Sequence, residues 1–334
     1  MRRSHTTALT LFLALGLSGC VAGEDAAGTD TGAGRWSTET LNIDFATYNP
    51  LSLVIKDQGW LEKELDGVTV TWTQSAGSNK ANEGLRSEAL DVGSTAGSAA
   101  LLARANGSPI KAVDIYSQPE WSAIVVPKGS DIDDVADLRG KSVAATKGTD
   151  PYFFLLQTLE EAGVPLDAVE VQNLQHADGR TALDNGSVDA WAGLDPIMAA
   201  AQSESGAKLV YRNIDFNTYG FLNVREDFLT EHREVAQVVV DAYERARKWA
   251  LAHPEELIAL LADVAGIDKK VAATVIEERT VLDLDPIPGD AQRKVLEVVG
   301  PIFVASGDVP SQTNVDRALD ELFEPALARD ATNG

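Results

Sequence analysis

From residue 41 to residue 211, short apolar segments rich in β-branched residues alternate with stretches of helical periodicity. That alternation leaves few folds open, because each strand must hand over to a helix that packs back on the same sheet. Residues 41–45, 68–73, 89–92 and 111–116 read as strands, and 51–64, 80–87 and 96–105 as helices between them. The pattern restarts at Ala123, with strands over 123–126, 143–146, 169–174, 190–194 and 208–211. Helices are expected over 151–162, 179–185 and 196–205, the first opened by Pro151 and closed by Gly163 and Pro165. Residues 219–224 read as extended, and nearly everything after Glu226 as helical. The expected class is α/β, with a parallel or mostly parallel sheet.

Three strand-to-helix junctions are built from small residues: Ser75-Ala76-Gly77-Ser78-Asn79, Gly93-Ser94-Thr95-Ala96-Gly97-Ser98 and Lys147-Gly148-Thr149-Asp150. In an open α/β sheet, ligands bind beyond the carboxyl ends of the strands, where loops turn into helix N-termini. Each N-terminus presents amides without an intrahelical acceptor and about half a positive charge. One such run is an ordinary helix cap. Three that converge would make a pocket for a compact anion without using Lys or Arg.

Such a pocket is compatible with an acidic chain. The formal net charge is −23, and it falls to −25 if Arg2 and Arg3 are removed with a leader. Surface charges more than ~10 Å away are largely screened, whereas backbone dipoles act at contact distance. The same field repels nucleic acid and anionic lipid, so no nucleic-acid partner is expected. The acids are spread along the chain and read as a solvated surface.

Residues 1–19 have the layout of a secretory signal: Arg2 and Arg3, a short apolar run over 8–17, then Leu17-Ser18-Gly19-Cys20. Cys20 is the only cysteine, so a disulfide within the chain and a catalytic thiol elsewhere are both excluded. Leu-Ser-Gly-Cys resembles the bacterial lipobox, which implies cleavage before Cys20 and lipidation of its thiol. Residues 20–40, rich in Gly, Ala, Thr and acids up to position 38, are expected as a flexible tether to a membrane.

Three longer stretches carry a further resemblance: LRSEALDVGSTAGSAALLA over 85–103, DVADLRGKSVAATKG over 134–148 and RTALDNGSVDAWAGLDP over 180–196. In this order and spacing they resemble the substrate-binding proteins of ABC importers for sulfonates, taurine, nitrate and related solutes, with the aliphatic-sulfonate branch nearest. The resemblance implies a two-lobed periplasmic-binding-protein fold, type II-like, with two hinge crossings and a helical C-terminal region. Lobe one would comprise 41–117 and 223–323, lobe two 122–216, the crossings 118–121 and 217–222, and 324–334 a tail. It also implies a small sulfonate-like anion as solute, an ABC permease as partner, no cofactor, no metal, and a monomer on the extracytoplasmic face.

Carried onto this sequence, one cleft wall would be Tyr48-Asn49, Gly77-Ser78-Asn79 and Ser94-Thr95-Ala96. The other would be Gly148-Thr149-Asp150, His176-Ala177-Asp178 and Asp195. The chain departs from the commoner pattern at Leu194, where an aromatic is frequent, and at Asp150-Pro151-Tyr152, where small polar residues are. Trp121 or Tyr152 is expected over the carbon part of the solute, and Glu120, Arg180, Tyr219 and Asn223 are further candidates near the cleft or crossings. Trp191 reads as core.

Catalysis is the rival class. The histidines are His5, His176, His232 and His253, and no HExxH, GxSxG or P-loop pattern occurs. Desulfinases of related fold use a cysteine nucleophile, which this chain has only at position 20. Carriers of nitrate, bicarbonate, taurine or a pyrimidine thiamine precursor are the alternatives within the binding class.

Overall fold

The computed structural model of the chain describes residues 35–333. The expected signal, Cys20 and residues 20–34 of the expected tether lie outside the described residues, whereas 35–40 are docked on lobe one: Trp36 packs on its core, the Ser37 amide donates to Glu234 Oε1 at 3.0 Å and Thr40 opens a strand. The chain opens with β1 (Thr40–Phe45), α1 (Pro50–Gln58), α2 (Trp60–Glu64), β2 (Thr69–Gln74), α3 (Ser78–Arg86), β3 (Val92–Ala96), α4 (Gly97–Ala105) and β4 (Ile110–Pro119). It continues through β5 (Ser122–Val126), β6 (Ser142–Ala145), α5 (Asp150–Glu161), β7 (Glu170–Asn173), α6 (His176–Asp184), β8 (Ala190–Leu194), α7 (Ile197–Glu204) and β9 (Lys208–Tyr211). The return comprises β10 (Gly220–Arg225), α8 (Glu226–Glu231), α9 (Arg233–Ala252), α10 (Pro254–Ala265) and α11 (Lys269–Ala273). Then follow β11 (Thr280–Val281), α12 (Asp290–Ala305), α13 (Gln312–Glu321) and α14 (Ala326–Asn333).

Two sheets divide these strands. The first runs β11-β4-β10-β3-β1-β2 and the second β7-β6-β8-β5-β9. Both are mixed, which corrects the expectation of a mostly parallel sheet. β10 returns from the second lobe and lies antiparallel between β3 and β4, while β5 is antiparallel to β8 and β9. A strand that crosses back from the other lobe enters the sheet in the opposite direction, so the two crossings force these antiparallel pairs. The links are short: Glu120 and Trp121 join β4 to β5, and Asn217–Tyr219 leads into β10. The second crossing therefore ends before Gly220, and residues 220–222 belong to the lobe-one sheet.

Local chemistry explains most boundaries. Gly59, at φ +59°, ends α1 in the left-handed region and splits the single helix expected over 51–64. Asn49 caps α1, accepting from the Ser52 amide at 3.3 Å. α9 buries Val235, Val239, Ala242, Tyr243, Ala246 and Ala250, a stripe at helical spacing that packs on α1. α14 packs on α9 through Leu327 and Ala328, both fully buried, so residues 326–333 are a docked helix where a tail was expected. In the second lobe Trp191 is fully buried among Ala144, Leu183 and Met198. No helix among the described residues is long and apolar enough to cross a membrane.

Candidate functional site

The lobes meet along the loops that follow β1, β2, β6 and β8. Gly77 brings lobe-one backbone against a lobe-two side chain: a Cβ there would stand 3.0 Å from His176 Nε2 and 2.9 Å from Asn79 Oδ1. A side chain there would push the Asn79 amide and the His176 ring aside. Next to it, Ser78 Oγ accepts from the Ala96 amide at 2.9 Å and ties the start of α3 to the end of β3.

The small-residue run at 93–98 behaves differently from expectation. Residues 92–96 are strand, and the amides that would have been free are already engaged. The Ser94 amide and hydroxyl donate to Asp44, at 2.9 and 3.0 Å to Oδ1. Gly97 N–H donates to the Tyr219 carbonyl at 2.8 Å, and Ser98 N–H to Thr218 Oγ1 at 3.1 Å. The start of α4 is thus closed off by the second crossing. Asp44 is buried in lobe one, and burial pushes its carboxyl up to about 7 in spite of the Ser75 and Ser94 donors.

Asp150, at the start of α5, is the knot of the hinge. Its Oδ1 accepts from the hydroxyls of Ser98 and Thr218 at 2.5 and 2.7 Å. Its Oδ2 accepts from Trp121 Nε1–H and the Thr218 amide at 2.8 and 2.7 Å. One carboxylate therefore joins lobe two, lobe one and both crossings. Burial raises its pKa, and the four donors oppose that shift.

His176 is the first residue of α6 and is 1% exposed. Its Nδ1 lies 3.1 Å from Thr146 Oγ1, whose hydroxyl donates to the Leu174 carbonyl at 2.7 Å. With that hydroxyl donating to the carbonyl, Nδ1 carries the ring proton and donates in turn; the tautomer is assigned from this hydrogen-bond chain. Nε2 is then a bare acceptor, and it has no partner. Burial alone pushes the imidazole down to about 3.

These residues close around a narrow cavity, of about 10 Å³, lined by Tyr48, Ser78, Ala96, Trp121, Thr149, Asp150, Pro151, His176 and Leu194. One side is polar: the Ser78 hydroxyl, the His176 ring and the N-terminal turns of α3, α5 and α6. The other is apolar, formed by Leu194, Pro151 and the edge-to-face pair of Tyr48 and Trp121, whose ring centroids are 6.0 Å apart. The lobe boundary thus faces a polar wall with an apolar one, and a solute is admitted only as the lobes part. Among the described residues no group of His, Cys, Asp or Glu is placed to hold a metal.

Other candidates sit elsewhere. Asn49 faces inward and donates to Tyr243 Oη at 3.0 Å. The Thr95 hydroxyl donates to the Ala96 carbonyl at 2.9 Å and accepts from Asn223 Nδ2 at 2.8 Å. A Cβ on Gly148 would stand 3.7 Å from the Asn79 Cβ across the lobe boundary. Glu120 is held by Arg212 in a two-pronged pair at 2.9 and 2.7 Å, and Arg180 by Asp184 and Glu204. Asp178 is exposed. Tyr152 lies against Phe153 and under the Lys147 ammonium, away from the cavity. Tyr219 contributes its carbonyl to the base of α4, and its ring is partly buried.

Asp195 also turns from the cavity. It pairs with Arg279, whose Nη1 donates to both carboxylate oxygens at 3.1 and 3.0 Å and whose Nη2 reaches Gln202 Oε1 at 2.6 Å. Burial raises the Asp195 pKa more than the guanidinium lowers it. The sequence carried no signal for Arg279, which sits in the C-terminal helical region 84 residues away from its partner. Thr218 was likewise not singled out.

A family model described as NMT1/THI5 like matches residues 50–257. The chain belongs to the NMT1/THI5-like family. A Bacillus subtilis (strain 168) member named as an aliphatic sulfonates-binding protein is 30% identical over 236 residues, spanning 69% of this chain and 71% of the relative. An Escherichia coli (strain K12) protein of the same name is 27% identical over 289 residues, 86% of this chain and 90% of the relative. The alkanesulfonate-binding protein SsuA from Xanthomonas axonopodis pv. citri, solved bound to MOPS, superposes with a TM-score of 0.76 at 24% identity, covering 84% of this chain and 98% of that one. The fold of this NMT1/THI5-like chain is the two-lobed periplasmic-binding-protein fold, with mixed sheets and C-terminal helices.

Proposed function

We propose that this chain is the solute-binding component of an ABC importer, and that it captures a small organosulfur anion, an aliphatic sulfonate or sulfate ester, between its lobes. The observation that carries the reading is the two-sided cavity. Helix N-termini and the Ser78 hydroxyl stand on one side for sulfonate oxygens, and Tyr48, Trp121 and Leu194 on the other for a short carbon chain. The names of the two curated relatives agree with it. Binding closes the lobes about the two crossings, and the closed form is what a permease recognises. No turnover is part of this role: the sole cysteine is Cys20, and the cavity holds no nucleophile paired with a base. The chain acts as a monomer outside the cytoplasmic membrane, held there by a lipid on Cys20.

Calorimetric titration against alkanesulfonates, taurine, nitrate, sulfate and an aminopyrimidine tests the reading. Saturable heat with a short alkanesulfonate is expected. Tight nitrate or pyrimidine binding with no sulfonate response would abandon it, and product formation from a sulfonate or sulfinate would abandon the carrier role.

A further inference from the structure

The Nε2 lone pair of His176 points at a cavity that receives an anion, and that combination is unfavourable as it stands. Two acceptors in a small, water-poor space repel each other, and the cavity already contains the Asp150 carboxylate. We propose that His176 contacts the solute directly and becomes protonated when the cleft closes on an anion, so that capture takes up a proton from solvent. The proposal rests on the reading that an anion binds in this cavity.

The geometry supports each part. Nδ1–H is committed to Thr146 by the hydrogen-bond chain that ends on the Leu174 carbonyl, so the ring cannot turn to present a donor in its neutral form. Only a second proton converts Nε2 into a donor, and it would then make a charge-assisted bond to a sulfonate oxygen. At this buried position that proton is opposed by desolvation and by the positive end of α6, on which the ring sits. An anion in the cavity offsets both.

Neighbouring charged groups do not supply the missing charge. Across the cavity, Asp150 is saturated by four donors and the Tyr48 hydroxyl donates to the Ser94 carbonyl at 3.0 Å. Asp44, deeper in lobe one, is engaged by Ser94. On α3, Lys80 pairs with Glu83 at 2.8 Å, and Lys147, next to Thr146 just past β6, lies over the Tyr152 ring. On the far side of α6, Arg180 is held by Asp184 and Glu204, Asp178 is exposed, and Asp195 is held by Arg279. The imidazole is the group left to meet the solute's charge. It also lines a groove at the lobe boundary with Ala76 and Arg180, which gives a proton a way in.

Titration of the full chain with ethanesulfonate, in two buffers of different protonation enthalpy, counts the protons taken up. Above about pH 7 the imidazole of an open cleft is neutral, so about one proton per solute is expected and affinity falls about tenfold per pH unit. Alkanesulfonates stay anionic throughout, so the solute does not contribute. In His176→Gln, which keeps a donor without titrating, uptake disappears and affinity changes by less than about twofold over the same unit, against about tenfold in wild type. Ethanesulfonate binding without proton uptake in the wild type overturns the proposal and leaves the anion-capture reading standing, as does an unchanged uptake in His176→Gln. If no sulfonate binds between about pH 6 and 8, the capture reading fails and this proposal falls with it.

Discussion

Replacing Arg279 with Met separates what holds the lobes shut from what holds the fold together. Arg279 and Asp195 are each about 95% or more buried as side chains, and they join the C-terminal region of lobe one to the start of α7 in lobe two. The substitution removes three hydrogen bonds, two to Asp195 and one to Gln202, and leaves a carboxylate in a dry boundary. Removing one partner of a buried pair costs about 3–5 kcal/mol, most of it from the stranded charge. The alternative, protonating an ordinary carboxyl at neutral pH, costs about 4 kcal/mol, so the two limits agree. When the cleft opens, water reaches Asp195 and relieves the penalty, so the cost falls on closure. Solute affinity should therefore drop about a hundredfold or more, since each 1.4 kcal/mol is about tenfold.

Calorimetry with butanesulfonate reads the affinity, and urea unfolding of the solute-free protein reads the fold. The double variant Arg279→Met/Asp195→Asn, which removes the stranded charge, should recover most of the loss. The reasoning fails if Arg279→Met binds like wild type. It also fails if the whole loss appears in urea unfolding with affinity intact, because the pair would then belong to the fold and not to closure.

Stability should decline as pH rises from about 4 to about 7, the window between the usual carboxyl value and the raised values of Asp44 and Asp114. Asp114 is pushed up to about 7 because burial outweighs Arg247, 3.5 Å away; its folded pKa lies above its unfolded one, so its protonated form favours the fold. Asp114→Asn should flatten part of this slope in denaturant titrations, and a slope identical to wild type would contradict the assignment. Gly220→Ala, at the start of β10, places a Cβ 2.3 Å from Cε2 of the fully buried Tyr116, and should cost about 1–3 kcal/mol of unfolding free energy; unchanged stability would mean the ring has room to move. Cys20→Ala should release the chain into the soluble fraction, and a variant that still pellets with membranes would rule out the lipid anchor.

Much of the architecture was legible because its causes are local. Strand and helix alternation, Pro151 at the start of α5 and the amphipathic stripe of α9 are written in neighbouring residues, and the junctions at 75–79 and 147–150 do lead into helices at the lobe boundary. Resemblance to a known family extended that reading to two lobes and a cleft. The run at 93–98 misled because the same small residues suit a strand edge as well as a helix cap, and nothing nearby records that Thr218 and Tyr219 would take its amides. Asp178, Glu120 and Tyr152 lie outside the cavity lining for a similar reason: proximity in sequence to a cleft residue does not decide which way a side chain points.

By itself, then, the sequence determined the class of fold, the placing of strand-to-helix turns and the single thiol. Only the tertiary structure decided that β10 enters between β3 and β4, that Asp150 meets Ser98 and Thr218 across 52 and 68 residues, that Arg279 reaches Asp195, and that His176 shows the cavity a bare nitrogen. Periodicity and caps act over a few residues and leave a trace there. Contacts between lobes depend on loop closure over long separations, and a charged or polar side chain reads the same in sequence whether it ends in water or in a closed cleft.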